Sequence, residues 1–138
     1  GALLFQPAFS ATWAEAYGSA GRAEEGLARL ADGIEVAEKT SDHWAESELH
    51  RVHGELLLMR GGPDAQVEAW FHQALDVARS QEAKSFELRA ATSLARLWQR
   101  QGKRAEARDL LGEIYGWFTE GFDTADLKDA KALLEELA

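Results

Sequence analysis

The sequence predicts an all-α domain, an α-α superhelix of about three helical hairpins followed by a C-terminal capping helix. Three observations predict it. The chain is rich in Ala, Leu, Glu, Arg and Gln with only two prolines, no stretch combines β-branched residues with strict alternation, and its turn glycines are evenly spaced. Gly21 and Gly61 lie 40 residues apart, and Gly61 and Gly102 lie 41 apart. A period of this length corresponds to one helical hairpin per repeat.

Length and composition set the class of protein. The 138 residues suffice for a single domain, 1–138, with its own core. With 46% hydrophobic residues the chain is not of the disordered class, and the absence of cysteine excludes disulfides and thiolate metal sites. No apolar run is long enough to cross a bilayer. We expect a soluble cytoplasmic protein without membrane contact, and because the chain begins at Gly1 without Met we interpret it as a fragment of a longer protein.

Short polar and glycine-containing breaks divide the chain into seven predicted helices of about 12 to 19 residues. The predicted repeats are about 7–40, 42–80 and 83–119, with the capping helix at 124–137. Gly21, Gly61 and Gly102 are expected to end helices in the left-handed conformation. Side-chain acceptors at helix starts are expected at Asp42, Asp64 and Asp123 or Thr124.

The predicted capping helix is amphipathic. Leu127, Ala130, Leu134 and Leu137 recur at spacings of 3, 4 and 3, which places them on one helical face. Charged residues occupy the opposite side. The apolar face is therefore expected to close the end of the stack, where a superhelix of hairpins would otherwise expose its core.

The three hairpins share an internal pattern. Each first helix carries a small residue, Ala14, Gly54 or Ala95, followed three positions later by a bulky one and then by the turn. The small residue lets the second helix approach to about 8–10 Å. This pattern resembles the tetratricopeptide repeat (TPR), whose first helix carries W-x2-L-G-x2-Y. The resemblance implies a TPR-like solenoid whose first helices line a concave groove, with helices longer than the family's usual ones.

A narrower resemblance covers most of the chain. The segments 45–58, 93–104 and 114–127 are similar to the C-terminal repeat region of large bacterial signalling proteins. Those proteins carry an adenylate/guanylate cyclase or DNA-binding domain first, a regulatory ATPase in the middle and TPR repeats last. The resemblance implies a non-enzymatic protein-interaction scaffold without a cofactor, in which Leu137 lies near the C-terminus of the parent. Any cyclase or ATPase activity would belong to domains outside this chain.

Charge is distributed unevenly along the chain. Residues 84–108 carry seven basic and two acidic side chains, and residues 109–138 carry two basic and eight acidic ones. A solvated surface accounts for this asymmetry, but the family's groove positions suggest a binding role. They correspond to Glu48, Arg51, Glu55, Arg89, Arg96 and Arg100. The three arginines from 89 to 100 share one helical stripe, which favours a partner protein or peptide with acidic groups, or another domain of the parent.

Two other functions remain open. The basic segment 84–108 could bind nucleic acid, although the net charge of −9 argues against it. A metal-dependent enzyme could use Glu46, His50 and His53, which share a helical face, but H-E-x-x-H is absent and packing between hairpins is the simpler interpretation. Homo-oligomerisation through the exposed N-terminal face is also open. The aromatic residues are expected to be core: Trp13, Phe71, Trp98, Trp117, Phe118 and Phe122.

Overall fold

The computed structural model describes residues 46–138 and, before them, Glu25, Ala28, Asp32 and Glu35, which are helical and exposed. Residues 46–138 contain five helices and no strand. These helices are α1 (Glu46–Met59), α2 (Asp64–Ser80), α3 (Lys84–Arg100), α4 (Arg104–Tyr115) and α5 (Ala125–Leu137). The all-α prediction is confirmed. Predictions for Ala14, Trp13, Gly21 and Asp42 lie outside the described residues.

The helices form hairpins that stack in chain order. α1 packs on α2, α2 on α3, α3 on α4, and α4 on α5. The first helices also contact one another, α1 with α3 and α3 with α5, whereas among the described helices α2 and α4 do not touch. Because the first helices are in contact and the second helices are spread apart, the stack curves with the first helices on its inner side.

The predicted turns at Gly61 and Gly102 are confirmed, and they share one backbone geometry. Gly61 and Gly102 have φ values of +86° and +82°. After α1, the N–H of Gly62 donates to the carbonyl of Leu57 at 2.8 Å, which closes the helix end as in a Schellman motif. The turn after α2 is made the same way without glycine, because Glu82 takes φ +55°.

The predicted small residue between paired helices is confirmed at Gly54. A Cβ there would lie 2.6 Å from Cε1 of Phe71, which is completely buried on α2. Around this contact, one apolar core runs from Leu57 of α1 through α2 to α5. Its largest fully buried side chains are Phe71, Leu88, Leu94, Leu97, Leu111 and Leu133. The superhelix therefore has a continuous core. Separately, no helix in the described part of the chain is long and apolar enough to span a bilayer.

The N-caps differ from the prediction. α2 begins at Asp64, so Pro63 is its N-cap residue and offers no side-chain acceptor. Asp64 instead lies in the first turn, where its negative charge interacts favourably with the positive end of the helix dipole. Thr124 is the N-cap of α5 as predicted, but its hydroxyl makes no cap bond and donates to the carbonyl of Gly121 at 2.8 Å.

The prediction that all the aromatic residues are core is wrong for two of them. Phe71 is buried and Trp98 and Phe118 pack against the core, but Trp117 is 57% exposed and Phe122 is 46% exposed. α4 ends at Tyr115, so both exposed rings lie in the loop before α5, where helical spacing no longer applies.

Candidate partner-binding face

All six predicted groove residues lie on the two first helices, α1 and α3, that contact each other. Glu48, Arg51 and Glu55 are on α1, and Arg89, Arg96 and Arg100 are on α3. Two acidic residues of α5, Asp126 and Asp129, complete the row. We call these eight residues the first-helix face. It lies on the inner layer of the curved stack.

Glu48 is the centre of the charge network on this face. Arg51 donates two hydrogen bonds to its carboxylate, from Nε to Oε1 at 3.0 Å and from Nη2 to Oε2 at 2.9 Å. From the next repeat, Nη1 of Arg89 approaches the same Oε2 at 3.4 Å. The Glu48 side chain is only 10% exposed. A carboxylate this buried needs compensating cations, so the two arginines stabilise its charge and join α1 to α3.

Arg89 continues the network into α5. Its Nε donates to Oδ2 of Asp126 at 2.8 Å. Partial burial alone would lower the pKa of Arg89, but the charge of Glu48 and the hydrogen bond to Asp126 outweigh it and raise the pKa above its ordinary value. One guanidinium thus links a side chain of α1 to a side chain of α5.

The other end of the face is much looser. Nη2 of Arg96 lies 4.0 Å from Oδ2 of Asp129, and the two side chains are 52% and 67% exposed. Arg100, one turn further along α3, is exposed and forms no ion pair within residues 46–138. The structure therefore brings Glu48, Arg51 and Arg89 together and leaves Arg96 and Arg100 facing solvent.

Sequence reasoning missed the acidic residues of α5. Asp126 and Asp129 are three residues apart and pair with Arg89 and Arg96, which are seven apart. A signal was present, because the basic segment 84–108 is followed directly by an acidic one. The register that matches each arginine with its aspartate depends on how α5 packs on α3. That packing is a tertiary property.

The histidines of α1 pack against an indole instead of forming a metal site. The ring of His53 stacks on Trp70 of α2 at 3.8 Å between centroids, and His50 lies 5.5 Å from the same ring. Burial, with smaller effects of His50 and Arg60, lowers the pKa of His53 to about 4. No group of three His, Cys, Asp or Glu in the described part of the chain is placed to hold a metal ion. The geometry thus gives the metal-dependent alternative at Glu46, His50 and His53 no support.

The basic segment 84–108 does not form a single uncompensated patch. Lys84 lies 3.1 Å from Glu87, and its ammonium is 5.2 Å from the centroid of the exposed Trp117 ring. Arg89 and Arg96 pair with α5, and Arg104 donates to the backbone carbonyl of Glu136. Three of the seven cations thus have acidic partners among residues 46–138, whereas Arg100, Lys103 and Arg108 are exposed without an ion pair there, so the segment's charge is only partly compensated.

Comparison with known proteins places this geometry in a recognised fold. No protein-family model and no curated protein matches the sequence. Among solved structures, the chain is similar to the nearly identical TPR-like repeats of a Podosopora anserina protein described as a kinesin light chain, with a TM-score of 0.73 and 17% identity. A single-substitution variant of that protein matches with the same TM-score and 16% identity. Each match covers 93% of this chain and 63% of the other. At this identity the likeness shows the fold alone, and the chain is a TPR-like α-α superhelix.

Proposed function

We propose that this chain is a protein-interaction module that binds an acidic segment of a partner protein, or of another domain of its own parent, along the first-helix face. One observation carries the proposal. α3 contacts both α1 and α5 on the inner side of the stack, and it exposes Arg96 and Arg100 there. A curved inner layer with cationic groups complements an extended or helical chain that carries carboxylates.

The face is suited to recognition because its helices are fixed before a partner arrives. Each contributes residues to the core: Leu49 and Leu56 of α1, Leu94 of α3, and Leu127 and Leu133 of α5 are all nearly or fully buried. Binding to such a preformed face needs little ordering of the backbone. The work of the site is non-covalent, through ion pairs and bidentate hydrogen bonds from arginine.

We propose further that the parent is a cytoplasmic bacterial signalling protein with a cyclase or a regulatory ATPase ahead of this module. The support is the resemblance of segments 45–58, 93–104 and 114–127 to the C-terminal repeats of such proteins. In that setting the module would hold a regulatory partner or a neighbouring domain and would leave the chemistry to the upstream domains.

Charge reversal on α3 tests the binding face. With a fluorescein-labelled decaglutamate peptide as the probe, we expect R96E/R100E to weaken binding at least tenfold in fluorescence anisotropy, since two attractive contacts become repulsive. The helix content should be unchanged, because both side chains face solvent.

The matched control is K103E/R108E, which makes the same change in net charge at exposed positions around α4. Equal weakening by both double variants would mean that the probe senses only the overall charge, and the face would be rejected. A 20-base-pair DNA duplex serves as the second probe. Tight, steeply salt-dependent binding of the duplex would favour nucleic acid instead.

A further inference from the structure

We propose that Arg96 and Arg100 form the carboxylate-binding subsite of the first-helix face, and that Asp129 of α5 occupies Arg96 as an internal competitor until a partner's carboxylate replaces it. This assignment rests on the proposed function and deepens it. It divides the face into two halves. The structural half comprises Glu48, Arg51, Arg89 and Asp126, and the exchangeable half comprises Arg96, Arg100 and Asp129.

The structural half is unsuited to partner binding. Arg51 and Arg89 are both committed to Glu48, and Arg89 also donates to Asp126 at 2.8 Å. A partner that took Arg89 would have to break a short bond and leave the mostly buried Glu48 with only Arg51 as its cation. Losing a cation from a buried carboxylate is strongly unfavourable. These residues therefore hold the repeats together.

The exchangeable half has the opposite properties. The Arg96 to Asp129 separation of 4.0 Å is at the outer limit of an ion pair, and both side chains are more than half exposed. Exposed pairs of this kind contribute little to stability, so exchanging one carboxylate for another costs little. α5 need not move in the exchange, since it is anchored by the buried side chains of Leu127, Ala130, Leu133 and Leu137.

Arg100 makes this half a two-point site. It lies four residues after Arg96 on α3, so the two guanidinium groups are on the same helical face one turn apart. Asp129 engages only Arg96. A segment with several carboxylates can engage both arginines and thereby displaces the single internal competitor.

The test is to remove the competitor. D129N should bind the fluorescein-labelled decaglutamate peptide about two- to fivefold more tightly than the wild-type chain, the range expected for one exposed ion pair. The control is D109N, which makes the same change in net charge at an exposed position on α4. The same thermal melting temperature for D129N and wild type, together with a lower one for D126N, would support the division into two halves.

The outcomes separate this assignment from the proposed function. If the wild-type chain binds the peptide and D129N is no tighter than D109N, the competitor is rejected while the binding face stands. If D129N binds the peptide more tightly than D109N does, and the double variant R96A/D129N binds no more tightly than R96A alone, the assignment is supported. Absence of peptide binding by both wild type and D129N would overturn the proposed function and the assignment with it.

Discussion

Glu82 holds a backbone conformation that its side chain disfavours. It is the one non-glycine residue of the described chain with positive φ, and it closes α2 where Gly61 and Gly102 close α1 and α3. The N–H of Glu82 donates to the carbonyl of Arg79, and that of Ala83 to the carbonyl of Ala78. The hydrogen bonds of the turn are therefore complete, and the remaining cost lies in the contact of the Glu82 Cβ with its own backbone.

Replacing Glu82 by glycine should therefore stabilise the protein. We expect E82G to raise the free energy of unfolding by about 0.5–1 kcal/mol, the relief of left-handed strain less the greater entropy of glycine in the unfolded chain. Urea unfolding measures it. The reverse change, G102A, should lower stability by about 1 kcal/mol, because an added Cβ at Gly102 meets no neighbour and only the φ of +82° opposes it. A loss of stability in E82G would contradict this account.

Two glycines within helices separate the effect of close packing from that of helix propensity. A Cβ at Gly54 would lie 2.6 Å from the Phe71 ring, whereas one at Gly112 of α4 would lie 3.9 Å from its nearest neighbour, Cδ2 of Leu134. Both glycines lie within helices, where alanine has the higher helix propensity. Only at Gly54 does a side chain of the neighbouring helix leave no room for the added Cβ.

We therefore expect replacement by alanine to change the free energy of unfolding in opposite directions at the two sites. G54A should destabilise the protein by about 1–3 kcal/mol because the buried ring must shift. G112A should stabilise it by up to about 1 kcal/mol through helix propensity. Chemical denaturation with circular dichroism gives both values. Stabilisation by G54A would show that α1 and α2 are free to separate, and would remove the packing reason for the small residue.

Local features of the elements were predictable from the sequence, and contacts between elements were less so. The helix ends at Gly61 and Gly102 follow from the φ that a tight turn requires, which is a property of single residues. The pairing of Arg89 with Asp126 joins positions 37 residues apart and depends on the angle between two helices. The loop before α5 has no period, so the exposure of Trp117 could not be inferred from spacing.

At the scale of the whole molecule, the ion pairs reinforce the stacking of the first helices. Glu48, Arg89 and Asp126 lie on three different helices, and contacts between neighbouring repeats set the curvature of a superhelix. The repeat spacing predicted that the hairpins would stack. Which charges hold the layers together and which face solvent became clear only from the structure, because exposure depends on the packed neighbours of each side chain.

Global stability should also depend on pH through the packing of α1 on α2. The pKa of His53 is about 4 in the folded protein against an ordinary 6.5, so between these pH values the unfolded chain binds a proton that the folded chain excludes. The free energy of unfolding should therefore fall as the pH drops from 6.5 towards 4, and below pH 4 the protonation of His53 should cause no further decrease.

H53F keeps a ring on Trp70 but cannot be protonated. We expect the urea midpoint of the wild type to decline more than that of H53F from pH 7 to pH 4.5, with H72F, at an exposed histidine, as the control. Parallel profiles for wild type and H53F would show that the stacked imidazole is free to take up its proton in the folded state.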